Sequence, residues 1–147
     1  ICTSLSEKIR KNFKNIDIIL SPAMGGIVVG YEIGRQLDVK TIFAERVNGK
    51  LTLRRGFNIP SHSNVLIIED VITTGKSILE CAGIIKINNA NLVGYACIIN
   101  RSNNKTVLKN KIISQIKFKI ATFKANKLPK YLRKIPVKTP GSRNLSK

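Results

Sequence analysis

Residues 65–77, VLIIEDVITTGKS, hold the densest chemistry in the chain. An apolar, β-branched run ends in two adjacent carboxylates, Glu69 and Asp70. It then passes through Val71 and Ile72 into Thr73, Thr74, Gly75, Lys76 and Ser77. Carboxylates at the C-terminal edge of such a strand stand where ligands sit in open α/β sheets, and their oxygens accept hydrogen bonds from a sugar diol. The small residues that follow supply backbone N–H groups, hydroxyls and a helix N-terminus, the groups that hold a phosphate. A ribose with a 5′-phosphate satisfies both halves.

Two better-known phosphate motifs are excluded. A Walker A loop needs a glycine five positions before its Gly-Lys-Ser, and Gly75 has Asp70 there. Gly25, Gly26 and Gly30 lack the G-x-G-x-x-G spacing of a dinucleotide site. Two acids at the end of so apolar a strand are costly to bury without a partner, which favours a ligand over accident.

These groups need a frame, and the hydrophobic pattern predicts one. It places strands at 16–20 and 40–45, with a helix at 26–37 between them that turns Ile27, Tyr31 and Ile33 toward the core. A short hairpin arm is expected over 51–57. A buried strand at 65–69 is almost continuously apolar, as parallel sheets prefer. A helix at 77–87 stops at Asn88 and Asn89, and a strand follows at 92–99. Residues 112–123 alternate apolar side chains with lysines, the pattern of an edge strand, after which Pro129, Pro136 and Pro140 break regular structure. The sum is βαβαβ, an α/β fold with a doubly wound, mostly parallel sheet. Residues 1–125 read as its core and 126–147 as an irregular tail of the same domain, with the chain starting directly ahead of the first core strand.

At residues 65–77 the sequence resembles the type I phosphoribosyltransferases, whose signature is a hydrophobic strand, two acids and a Thr/Gly-rich phosphate loop. Flanking blocks look like the orotate phosphoribosyltransferases within that family. SPAMGGIVVGYEIGRQL (21–37) is similar to their pyrophosphate-contacting loop and helix, FAERVNGKLTLRRGF (43–57) to the mobile catalytic loop of the longer bacterial form, and IPVKTPGSR (135–143) to its C-terminus. The match spans nearly the whole chain. By the same comparison, an N-terminal helix and small hood are missing ahead of Ile1.

The resemblance implies transfer of a 5-phosphoribosyl group from its 1-diphosphate to N1 of orotate, a step of pyrimidine biosynthesis. It assigns phosphoribosyl diphosphate to Ala23, Met24, Gly25, Gly26, Arg46, Lys50 and the run Glu69, Asp70, Val71, Ile72, Thr73, Thr74, Gly75, Lys76 and Ser77. Catalytic parts fall to Glu69, Asp70, Arg46 and Lys50, and orotate contacts to Thr73 and Arg101. Chemically, Glu69 and Asp70 suit a ribose clamp. Mg²⁺ is the implied cofactor, and it is held mainly by diphosphate oxygens and water, so no metal-ligand cluster is required. Arg46, Lys50, Arg54 and Arg55 lie on a stretch with Gly49 and Gly56 as flexible points, the composition of a lid that closes on a polyanion. In the family this loop reaches a neighbouring subunit, which implies a homodimer. An arginine fork suits the carboxylate of orotate. Two departures stand out: Glu45 where a cation is common, and Asn100 where aspartate is common. His62 and Met24 are expected to be a surface residue and a packing residue.

Composition sets the outer bounds. At 147 residues and 43% hydrophobic the chain can bury one core. No apolar run approaches a membrane span, no signal-peptide order opens the sequence, and Cys2, Cys81 and Cys97 show neither metal nor redox spacing, so a cytoplasmic setting with free thiols is expected. The net charge of +18 is the usual footprint of a nucleic-acid binder, yet the lysines are scattered and come with abundant isoleucine and asparagine, as A/T-rich codons produce. Nucleic-acid affinity is expected to be non-specific only. Two alternatives remain at this point: a non-catalytic, nucleic-acid-binding relative, and an enzyme for another base.

Overall fold

Isoleucine, leucine and valine point to both sides of the central strands, so the sheet they form must be covered on both faces. In the computed structural model, which describes residues 1–102, 110–121, 123 and 125–136, this is the architecture seen. In chain order the elements are α1 (Cys2–Asn12), β1 (Ile18–Pro22), α2 (Gly25–Leu37), β2 (Lys40–Val47), β3 (Lys50–Leu53), β4 (Asn64–Ile72), α3 (Lys76–Ile87), β5 (Asn91–Asn100) and β6 (Ile112–Lys117). The strands lie in the order β3-β2-β1-β4-β5-β6. Every neighbouring pair is parallel except the β2–β3 hairpin.

The two-residue period of β4 divides the core. Val65 and Ile67 pack with Ile78, Cys81 and Ile85 of α3 on one face, while Leu66 and Ile68 meet Leu5 and Ile9 of α1 and Val29 and Ile33 of α2 on the other. All four β4 side chains are fully buried. At about 1.5–3 kcal/mol each, this strand alone contributes on the order of a domain's net stability. The acids that follow are therefore mounted on a strand anchored in the core on both faces.

β1 and β4 are neighbours, yet β1 leads through α2 to one side of the sheet and β4 leads through α3 to the other. That is a topological switch point, where the loops after the two strands open a crevice.

Several sequence expectations need correction. Residues 2–12, outside the elements expected above, are helical. Leu5, Ile9 and Phe13 recur at helical spacing and are buried, a stripe that the sequence itself carries. In α2, Tyr31 is 64% exposed rather than turned inward. Gly26, Gly30 and Gly34 face the sheet instead. A Cβ on Gly30 would strike Ser21 Oγ, one on Gly34 would strike Thr41 Oγ1, and one on Gly26 would stand 3.1 Å from the Ile68 carbonyl. The helix lies so close to the strands that only hydrogen fits along this ridge, and Tyr31 stands outside it. The edge strand expected over 112–123 ends at Lys117. β4 continues beyond the acids to Ile72, and β3 begins one residue earlier than the expected arm. The described part of the tail holds a 3-10 turn (Ala125–Lys127) and a one-turn helix α4 (Lys130–Arg133). Residues 137–147, and with them most of the C-terminal block quoted above, lie outside the described residues.

Candidate active site

A cleft of about 240 Å³ opens at the switch point, lined by residues 22–25 on one side and 69–78 on the other. Of the sequence-predicted contacts, Ala23, Met24, Gly25, Glu69, Asp70 and the whole run 71–77 meet there. Gly26 sits just behind, where an added Cβ would stand 3.1 Å from both the Ile68 carbonyl and Glu69 Oε1.

The acids are held by their own backbone. Glu69, 9% exposed, accepts the Asp70 N–H at Oε1 over 3.1 Å, and Asp70 Oδ1 accepts the Val71 N–H over 2.6 Å. Across the cleft, Gly25 touches Asp70 so closely that an added Cβ would lie 2.7 Å from Cγ and closer still to Oδ2. The loop carrying Gly25 is fixed to the sheet by the Ala23 N–H donating to the Ala44 carbonyl at 2.8 Å, and its Ala23-Met24 peptide is cis. Behind the acids, burial pushes the Cys81 and Cys97 thiols up to about 12, with the Glu69 charge adding to both.

The phosphate loop turns on Gly75, whose φ of 78° lies in the left-handed region that glycine enters without steric cost. Lys76 donates its N–H to Thr74 Oγ1 at 3.4 Å, and α3 starts there with no side-chain cap and no acid in its first turn. Its N-terminal N–H groups and the positive end of its dipole are thus directed at the cleft, an arrangement suited to an anion.

Other predicted residues lie apart. Arg46 does not line the cleft; its guanidinium binds Glu80 on α3 at 3.0 Å and the Gly49 carbonyl in the hairpin turn. Lys50 opens β3 and is exposed. Glu45, the departure noted above, is the partner of the next two cations: Arg55 donates to it at 3.2 Å and Arg54 pairs at 3.6 Å. Arg101 follows β5, and its N–H donates to the Ile72 carbonyl at 2.8 Å, which places it beside Thr73. Among the described residues its Nε is buried without a hydrogen-bond partner. Asn100, 5% exposed, accepts both the N–H and the hydroxyl of Ser102 and so shapes the turn that carries Arg101. His62 is exposed in a distant turn, as expected, whereas Met24 is 80% exposed and does not pack. Pro22 and Ile78 also line the cleft, and Glu80 braces the hairpin; nothing in their sequence context pointed to these parts.

A doubly wound sheet with a hydroxyl-rich loop and a bare helix N-terminus at its crossing point defines an α/β protein of the phosphate-binding class. The chain belongs to the phosphoribosyl transferase domain family, which matches residues 1–129. It is 43% identical, over all of its own length and 76% of the relative's, to an orotate phosphoribosyltransferase of Methylorubrum extorquens (strain PA1). A second such relative, from Chlorobium phaeobacteroides (strain BS1), is 45% identical over 89% of this chain and 68% of its own. Among solved structures, an adenine phosphoribosyltransferase from Thermoanaerobacter pseudethanolicus superposes with a TM-score of 0.69 over 80% of this chain and 77% of that one, at 18% identity. At that identity the likeness speaks for the fold alone.

Proposed function

We infer that the chain transfers the 5-phosphoribosyl group of phosphoribosyl diphosphate to orotate, giving orotidine 5′-phosphate and pyrophosphate in pyrimidine biosynthesis. The observation that carries the donor half is that the acid pair ending β4 and the phosphate loop after it line one cleft together. The acceptor half rests on kinship along the whole chain with orotate phosphoribosyltransferases.

The reaction needs few proton transfers. Glu69 and Asp70 clamp the ribose diol and set negative charge beside the sugar as its anomeric carbon becomes cationic. Residues 73–77 hold the 5′-phosphate through N–H groups, hydroxyls and the α3 N-terminus. Ala23, Met24, Gly25 and Gly26 line the path of the diphosphate, with Arg46 and Lys50 as the cations available to it. Thr73 and Arg101 hold orotate, and the orphaned Arg101 Nε fits a carboxylate partner.

The donor set fits Mg²⁺. Among the described residues no cluster of three His, Cys, Asp or Glu could cage a metal, and the cleft offers two hard carboxylates. Such a set suits an ion that keeps its waters and meets Asp70 and Glu69 at the edge of the substrate. Bound there, it would neutralise the leaving diphosphate.

A homodimer is supported by α2, where Met24, Val28 and Tyr31 form an apolar stripe 80%, 75% and 64% exposed that begins at the cleft itself. The working compartment is the cytoplasm, in keeping with three free cysteines. No helix among the described residues is long and apolar enough to cross a membrane.

The test is pyrophosphate release with orotate, uracil and hypoxanthine in parallel, with Asp70→Asn as the site control. Orotate should be used at least about a hundredfold better in kcat/KM, the discrimination that a site built for a polar substituent supplies. Equal use of uracil, a preference for the purine, or an unaffected Asp70→Asn would overturn it.

A further inference from the structure

Glu80 stands one turn into α3, just past the phosphate loop, and reaches both strands of the hairpin. Its Oε2 accepts from Arg46 at 3.0 Å and from the Leu51 backbone N–H at 3.2 Å. Its Oε1 lies 3.4 Å from both terminal nitrogens of Arg46. Arg46 and Leu51 are cross-strand partners, and β3 is the edge strand, so Glu80 satisfies an amide that has no further strand to bond among the described residues.

The stem of this hairpin borders the cleft. Ala44 pairs with Pro22 and takes the Ala23 N–H, and Arg46 lies two residues further along β2. Yet the Arg46 guanidinium is turned to Glu80 and to the Gly49 carbonyl. A cation neutralised in this way does nothing for a polyanion in the cleft. The pair is also partly exposed, with side chains 36% and 26% accessible. Pairs of that kind shift an equilibrium by no more than about fivefold, weak enough for a multiply charged anion to displace.

We propose that Glu80 is a positioning residue that latches the 46–51 hairpin onto α3 and competes with the substrate's diphosphate for Arg46. This rests on the phosphoribosyl-transfer reading and adds to it a resting state and the residue that sets its depth. Because Glu80 belongs to the same helix as the phosphate loop, the latch holds hairpin and loop in one fixed relation until the anion arrives.

The experiment is a double-mutant cycle read by calorimetry with inorganic diphosphate in magnesium buffer, on wild type, Glu80→Gln, Arg46→Ala and the double variant. Glutamine still accepts the Leu51 amide but gives up the charge. Glu80→Gln should tighten diphosphate by roughly three- to fivefold and lower the KM for phosphoribosyl diphosphate with a smaller change in kcat. In the Arg46→Ala background the gain should vanish. Amide exchange supplies an independent readout: Glu80→Ala should speed exchange at Leu51 by at least about tenfold. An unchanged affinity in Glu80→Gln, an equal gain without Arg46, unaltered Leu51 exchange, or no diphosphate binding in any variant would each overturn the latch. Orotate-dependent pyrophosphate release by wild type tests the functional reading separately, since its failure with the cycle intact leaves the latch standing.

Discussion

Replacing Gly25 by alanine adds one methyl group at the narrowest point of the cleft. The new Cβ would stand 2.7 Å from Asp70 Cγ, with Oδ2 nearer still. Ordinary carbon contacts begin near 3.5 Å, so loop or carboxylate must retreat by about 1 Å. The loop is pinned by the Ala23–Ala44 hydrogen bond and the carboxylate by the Val71 N–H at 2.6 Å. Breaking the latter, a bond to a charged acceptor, costs about 1.5–3 kcal/mol. A displacement of that size at a reacting centre costs on the order of a hundredfold in rate, or about 2.7 kcal/mol. We therefore expect Gly25→Ala to lose roughly a hundredfold in kcat/KM for phosphoribosyl diphosphate while its melting temperature falls by no more than the loss of that one hydrogen bond accounts for, because the clash lies at the mouth of the cleft and outside the core. Gly83→Ala is the control. It lies on the exposed side of α3, with nothing within 4 Å of where its methyl group would stand, and it should stabilise the protein by about 0.5–1 kcal/mol without touching activity. The assay is pyrophosphate release together with thermal denaturation. Activity within about threefold of wild type in Gly25→Ala would refute the contact argument.

Arg101→Lys should erode most of the preference for orotate over uracil, because an ammonium cannot reproduce the guanidinium fork; a retained preference, measured as the ratio of kcat/KM values, would remove Arg101 from the acceptor site. Cys81 and Cys97 should resist thiol reagents in the native state near pH 8 while Cys2 reacts, and a native count of three reactive thiols would contradict their burial. Both buried thiols are raised from 9.0 to about 12, so their neutral form is favoured by folding: stability is intact below pH 9 and falls as pH rises toward 12, by up to about 1.4 kcal/mol per unit and thiol. A Cys81→Ala, Cys97→Ala variant should flatten that decline in melting temperature. Binding to nucleic acid should be sequence-blind and fall steeply between roughly 50 and 200 mM salt; selective binding at physiological salt would favour a regulatory role.

The cleft was legible in the sequence because its parts are local. Acids, hydroxyls and Gly75 follow one another in a single strand–loop–helix unit, and local spacing alone fixes which of them share an edge. The parallel sheet was legible for a similar reason, since residues 65–68 are apolar on both faces. What failed was long-range. The burial of α1 depends on contacts with β5 and β6 far along the chain, although its own stripe of Leu5, Ile9 and Phe13 was there to be seen. Bulk alone points Tyr31 inward, whereas close approach of helix to sheet selects Gly30 and Gly34. The engagement of Arg46 with Glu80, thirty-four positions away, likewise has no signature in local pattern.

Among the described residues β6 forms a margin of the sheet, and from its end onward Ile116, Phe118 and Ile120 are each nearly half exposed, alternating with Lys117 and Lys119. A strand edge followed by such apolar residues is a template on which another chain can add itself and nucleate aggregation. The interleaved lysines act as gatekeepers, since a second copy docking in register would bring like charges together. Part of the +18 charge thereby acquires a colloidal meaning: like charges on this margin oppose the docking of a second copy, an opposition that weakens wherever salt screens it or acetylation removes it.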